Sequence, residues 1–352
     1  MNPEKPTSVP DRLPLAEREG RRSPWLRWGV SLLFSLLAGV LGYLLWLSGP
    51  TGVQAQVRLE RGQGALAVGR TLERAGLVRS GQLFAVYLRA SGRDKLLKPG
   101  VYQLEGDGVR RLAIALTEEA QPLTVRLTFP EGWRMHQMAL RLSQNGLPGE
   151  KFLELAEHPP ADLRPSYVQS PTLEGFLFPA TYTFPLDATA REIIQTMLAR
   201  FEQELTPEVR SRLAQEKLSV QQWVTLASIV QAEAAHPEEK PLIAGIFLNR
   251  LEAGMPLQAD PTVAYGLGKA LPELSRPAGD FASDTPYNTY RVAGLPPGAI
   301  SNPGSEALRA VLEPQRTDAQ GRALFYFFHN RQGKLFVNPD FASHSRDLAR
   351  YR

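Results

Sequence analysis

The longest apolar run in the chain, WGVSLLFSLLAGVLGYLLWL from Trp28 to Leu47, carries no charge. As a helix rising about 1.5 Å per residue it spans about 30 Å, the thickness of a bilayer's hydrocarbon core. Trp25, Trp28 and Trp46 lie near its ends, where indole rings prefer the membrane interface. Arg21, Arg22 and Arg27 precede the run, and no Lys or Arg follows until Arg58. The positive-inside rule therefore predicts a cytoplasmic tail over residues 1–27, a transmembrane helix over 28–47 and an extracytoplasmic remainder. A cleaved signal peptide is the competing reading. Against it, the run is long for a signal h-region and Val53-Gln54-Ala55 is a poor cleavage site. Residues 48–55 read as a linker.

Beyond the linker the pattern turns to short alternating strands and amphipathic helices. VRLERGQGALAVGRTLERAGLVRSGQLF from Val57 is echoed by VRLTFPEGWRMHQMALRLSQNGLPGEKF from Val125, an offset of roughly 70 residues. Each copy predicts a strand, a Gly-containing turn, a helix ending at Gly76 or Gly146, and a second helix. Ala65, Val68, Leu72 and Ala75 recur at helical spacing, and glycine suits a left-handed helix cap. With KPGVYQLEGDGVRRLAIALTEE following, residues 56–120 predict a β-α-α-β-α module. The echo fits a true repeat and equally fits common α+β architecture. From 171 to 345 the pattern predicts helices over 192–206, 219–235, 239–253 and 304–312, a strand over 323–329, and long loops. That lacks the regular alternation of a doubly wound sheet, so the fold class is α+β.

Composition narrows the chemistry. The 352 residues are 43% hydrophobic, enough for two moderate domains with cores. A net charge of +4 is too mild to argue for nucleic-acid binding. Cysteine is absent, which excludes thiol catalysis, disulfides, thiolate metal sites and a lipid anchor on Cys.

Glu233 is the most informative single residue. It lies in TLASIVQAEAAHPEEK, on a helix expected to start at Ser219 with Gln222 completing a capping box. Trp223, Ala227, Val230 and Ala234 mark that helix's apolar centre, and Glu233 falls about 80° from it. A carboxyl group pressed against Leu226, Ile229 and Val230 has reason to keep its proton at neutral pH, as a general acid must. The bland alternative is a salt-bridged residue at the rim of the core. Glu233-x-x-His236 has the spacing of a di-iron ligand pair, but no second such pair occurs, so no metal and no cofactor is expected. Two loops carry Gln258, Asp260, Thr262 and Tyr265, then Tyr287, Asn288 and Tyr290. Such a mix of amides, hydroxyls and rings suits a sugar's polar edges and apolar faces, and also suits ordinary loops.

Five blocks, LEGFLFPATYTF (173–184), ASIVQAEA (227–234), IFLNRLEAGMPLQADPTVAYGLG (246–268), YNTYRVAGLPPGAISNPGSEAL (287–308) and FVNPDFASHSRDL (336–348), closely resemble the YceG-like endolytic murein transglycosylases. The resemblance implies a LysM-like module over 56–120 and a catalytic domain over 121–352. It implies a lyase of the bacterial plasma membrane that cuts the bond between N-acetylmuramic acid and N-acetylglucosamine in nascent peptidoglycan strands without water, leaving 1,6-anhydro ends. Glu233 aligns with the family's catalytic glutamate. Gln258, Asp260, Thr262, Tyr287, Asn288 and Tyr290 become substrate-contact candidates, and Glu174 is as well explained by holding its loop as by touching substrate. Peptidoglycan strands and membrane-bound wall synthases are the implied partners, with the bilayer engaged through residues 28–47. Two departures stand out: Gln231 where many relatives carry an acid, and Ala180 where Asp is common. A non-enzymatic glycan-binding scaffold and a hydrolytic muramidase remain the rival readings.

Overall fold

The structure is a computed structural model and describes residues 24–60, 62–119 and 122–351. The expected tail over 1–27 therefore lies almost wholly outside the described residues. The chain divides into two compact units, Met1–Ala120 and Gln121–Arg352.

The first unit opens with α1 (Pro24–Ser48), whose apolar window is nowhere buried among the described residues. From Trp28 to Ser48 it is long and apolar enough to cross a membrane, as an anchor or as a signal sequence. Arg79 grips its end, donating to the Trp46 carbonyl at 2.6 Å and the Pro50 carbonyl at 2.8 Å while lying over the Trp46 ring. The expected linker is shorter than read, because β1 (Gln54–Leu59) already begins within it. Then come α2 (Ala65–Arg74), α3 (Gly81–Ala90), β2 (Gly100–Glu105) and α4 (Val109–Ile114), which runs on into one π turn. β1 and β2 pair antiparallel from Gln54 opposite Glu105 to Leu59 opposite Gly100. Val68, Leu72, Phe84, Leu88, Tyr102 and Leu112 close a core between this ribbon and the helices. A Cβ on Gly69 would lie 2.1 Å from the Gly81 carbonyl oxygen, so α2 and α3 approach only because both positions are glycine.

The second unit repeats that opening. β3 (Thr124–Thr128), α5 (Met135–Gln144) and α6 (Gly149–Glu157) follow one another, and β3 pairs antiparallel with the later β4 (Thr181–Pro185). Both copies of the echo thus fold alike. Gly76 and Gly146 each adopt left-handed backbone, and the next residue, Leu77 or Leu147, donates back to Leu72 or Leu142.

The larger core is helical: α7 (Ala190–Glu202), α8 (Pro207–Gln215), α9 (Val220–Glu233), α10 (Lys240–Glu252), α11 (Asp260–Gly266) and α12 (Ser305–Leu312). A hairpin, β5 (Tyr326–His329) and β6 (Leu335–Asn338), and the helix α13 (Phe341–Tyr351) close the unit. With three separate two-stranded antiparallel ribbons among helices, the architecture is mixed α+β.

At the centre runs α9, buried on every side from Trp223 to Val230. The sequence suggests a one-faced apolar stripe, but α10, α11 and α12 all pack against this helix. Its polar residues are therefore spent internally. Trp223 Nε1 donates to the Leu308 carbonyl at 2.8 Å, and Ser228 accepts from the Ile300 amide at 3.0 Å.

Candidate active site

Local chemistry fixes where α9 begins and ends. Ser219 accepts from the Gln222 amide at 3.1 Å and Gln222 Oε1 accepts from the Ser219 amide at 2.9 Å, the expected capping box. The helix stops at Glu233, two residues earlier than its periodicity suggests, because Ala234 turns to extended backbone. Glu239 then accepts from the Ala235 and His236 amides and contacts His329 Nε2 at 3.1 Å, holding the chain just past Glu233. Glu233 thus emerges at the end of a helix buried on every side from Trp223 to Val230.

Glu233 is half-buried, so solvent reaches it, yet the surrounding protein is dense enough to matter. Burial pushes its carboxyl up to about 8; the Asp260 charge pushes the same way, and Arg250 opposes both. No hydrogen bond is among these causes. The group is therefore held protonated at neutral pH by desolvation first and by a neighbouring anion second.

Asp260 opens α11 and accepts a hydrogen bond from the Tyr290 hydroxyl at 2.5 Å. Arg250 comes from α10 and is buried, with Nε donating to the Phe325 carbonyl at 2.7 Å and Nη1 to the Leu257 carbonyl at 2.8 Å. It lies close enough to Glu233 to oppose the rise of that carboxyl's pKa. Gln258 is exposed in a left-handed conformation at φ +56°, a strained state for a residue other than glycine. Its Oε1 lies 3.5 Å from Arg250 Nη1. Glu233, Asp260, Gln258 and Tyr290 therefore fall in one neighbourhood tied together by Arg250. Sequence reasoning missed Arg250; its only signal was a cation inside the apolar helix IFLNRLE.

Three other candidates are buried, and their polar atoms are already engaged. Thr262 is fully buried, donating to the Ala259 carbonyl and sharing a 2.8 Å bond with Thr289. Asn288 is fully buried too, donating to the Phe281 and Ser283 carbonyls and accepting from the Tyr290 amide. Both shape the loops, and burial keeps them from touching a sugar. Glu174 is buried and accepts from the Met135 amide at 3.0 Å and from Asn302 Nδ2 at 2.7 Å. Asn302, also missed, accepts in turn from the Gly175 and Leu177 amides. This pair knits three loops together, which makes Glu174 a structural residue. Gly175 between them sits at φ +94°, and a Cβ there would lie 2.4 Å from the Ala299 side chain. Half-buried Tyr287 packs against Tyr265 at 4.8 Å, on the Glu174 side of the unit.

Burial also pushes Glu174 up to about 8, against the opposing pull of the Met135 amide, Arg134 and Asn302. A carboxyl whose folded pKa exceeds its ordinary 4.5 stabilises fully below that value, and its contribution is lost as pH rises through about 8. The unfolding midpoint of the second unit should therefore fall across that window. Glu174→Gln should flatten the slope in thermal melts at stepped pH; an unchanged slope would exclude Glu174 as its source.

Residues 57–350 match the YceG-like family. Over 343 residues the chain is 31% identical to a Streptococcus pneumoniae protein named endolytic murein transglycosylase, covering 89% of this chain. It spans 61% of that relative's length. A Bacillus subtilis protein of the same name is 28% identical over 312 residues, 84% of each chain. A crystal structure of a YceG-like protein from Listeria monocytogenes superposes with a TM-score of 0.55 at 29% identity, covering 83% of this chain and 98% of that one.

Proposed function

The chain belongs to the YceG-like family, and from that premise we propose that it is a peptidoglycan lytic transglycosylase with Glu233 as its catalytic residue. One observation carries the reading: a carboxyl group kept protonated at neutral pH at the solvent-reached end of a buried helix. Its proton passes to the glycosidic oxygen as the bond to muramic acid C1 breaks. The resulting carboxylate takes the proton from the C6 hydroxyl while O6 bonds to C1, closing the 1,6-anhydro ring. No water is consumed, and one carboxyl group serves both steps. Asp260, anchored by Tyr290 beside Glu233, is in this reading the anion that offsets the positive charge of the oxocarbenium-like state. Exposed Gln258 and half-buried Tyr290 remain the candidate sugar contacts.

We read α1 as a retained single-pass anchor with a cytoplasmic N-terminus, residues 56–120 as a LysM-like module, and the chain beyond α1 as extracytoplasmic. Nascent strands are the substrate in this reading and wall synthases the neighbours. Internal cutting would then limit strand length.

Asp260 also favours a second reading, a hydrolytic muramidase, since a paired carboxylate is what ordinary glycosidases use. Mass spectrometry of digested strands decides between them, because hydrolysed ends are heavier by one water. Anhydro ends are expected.

Asp260 also contributes, after burial, to where the alkaline limb of the rate falls. The acid must carry its proton, so kcat/KM should fall as pH rises through about 8. Asp260→Asn removes the anion that raises Glu233, and the limb should move to lower pH. A pH profile in which the limb stays in place would remove Asp260 from this role.

A further inference from the structure

Glu233 does not line the prominent cleft of the second unit. That cleft, about 970 Å³ in volume, lies at the far end of α11, between Tyr265 and Lys269 on one side and the starts of α5 and of the loop at Pro171 on the other. Asp260, whose charge acts on Glu233, begins the same helix. Tyr265 follows five residues later, about 7.5 Å along the axis at about 1.5 Å per residue. α11 therefore joins Asp260, whose charge acts on Glu233, to the wall of the cleft.

The cations in the cleft differ in their engagement. Lys269 is neutralised by Asp280, with Nζ at 2.7 and 2.9 Å from its two oxygens. His136 lies 3.4 Å from Glu157. Arg134 makes no ion pair within 4 Å among the described residues, although its charge is felt by Glu174. Its guanidinium stacks 5.0 Å from the Tyr265 ring centre, and Nη1 makes one long 3.5 Å bond to the Lys269 carbonyl. Behind it, burial keeps Glu174 largely protonated below about 8, so that carboxyl supplies little countercharge. Arg134 also occupies the N-cap position of α5, where the helix dipole adds positive potential. Met135, Pro171 and the edge of Tyr265 supply apolar wall around this fork of donors.

The geometry points to a second substrate subsite in this cleft, in which Arg134 receives a carboxylate of the peptide stem carried by the bound strand. An unpaired guanidinium offers parallel N–H donors that match a carboxylate and add little for a neutral sugar hydroxyl. This inference rests on the reading of the chain as a peptidoglycan enzyme, and binding tests it apart from catalysis.

The test uses the full chain in detergent micelles and measures calorimetric affinity for a disaccharide carrying a peptide stem, with the stem carboxylates either free or amidated. The free-carboxylate form should bind about tenfold tighter or more. Arg134→Ala should abolish that preference without lowering the melting temperature, and Arg134→Lys should retain part of it. Equal affinity for the two forms, no binding of either, or equal weakening of both by Arg134→Ala would overturn the subsite. Release of anhydro ends, assayed separately, judges the reaction itself, so the two readings can fail independently.

Discussion

Replacing Glu233 with Gln should lower the rate of anhydro-end release by about 10²–10⁴-fold or more while the protein stays folded. Gln keeps the size and polarity of the side chain but has no transferable proton and cannot become a base. Both steps assigned to Glu233 are lost together. Little stability should change, because no hydrogen bond contributes to holding the carboxyl and burial acts against its charge. Above neutral pH the variant should be no less stable than the parent, since a neutral amide replaces a group that burial resists ionising. The measurement is mass-spectrometric quantification of anhydro ends from strands digested by the full chain in micelles, with a thermal melt alongside. Activity within a few-fold of the parent would rule Glu233 out as the proton carrier.

A large loss of stability is expected from Trp223→Ala. Trp223 is 1% exposed, packs near Phe201 at 6.3 Å between ring centres, and donates to the Leu308 carbonyl. Truncating a buried aromatic residue of this kind removes about 3–5 kcal/mol through lost burial and the cavity left behind. The Leu308 carbonyl would also lose its donor, at a further cost of about 1–3 kcal/mol if water cannot replace it. Denaturant titration followed by circular dichroism should show the second unit's transition moving to lower denaturant while the first unit's stays in place. Trp223→Phe should recover part of the loss, since it restores ring volume but not the hydrogen bond. A shift of less than about 1 kcal/mol would mean that α9 is not the packing centre of the unit.

Local patterns were legible where a local cause decides the outcome. The cap at Ser219 needs only Gln222 three residues on, and it forms as read. Gly76 and Gly146 end their helices because left-handed backbone strains other residues, wherever the helices lie. The apolar run became α1 for the same reason of length and composition. By contrast, the stripe on α9 was misread as one-sided, since a helix covered all round leaves no polar face to detect.

The candidate site divided along the same line. Thr262 and Asn288 look like sugar contacts in a list of loop residues, but packing buries both and uses their hydrogen-bonding groups within the loops. Arg250 and Asn302 look unremarkable in sequence because their partners lie far away along the chain: Phe325 for one, Gly175 and Leu177 for the other.

The order of residues alone determined the strand-helix-helix openings of both units, the main helices around 219–235 and 239–253, the apolar N-terminal helix, and Glu233 at the border of a core. Each follows from periodicity, capping or composition within a few turns of chain. Only the tertiary structure decided that Asp260 and Arg250 act on Glu233, which loop residues face inward, and that Arg134 stacks on Tyr265 with no ion pair within 4 Å among the described residues. Electric fields and burial depend on distance through space, and residues remote in the chain set them once folding has brought them together.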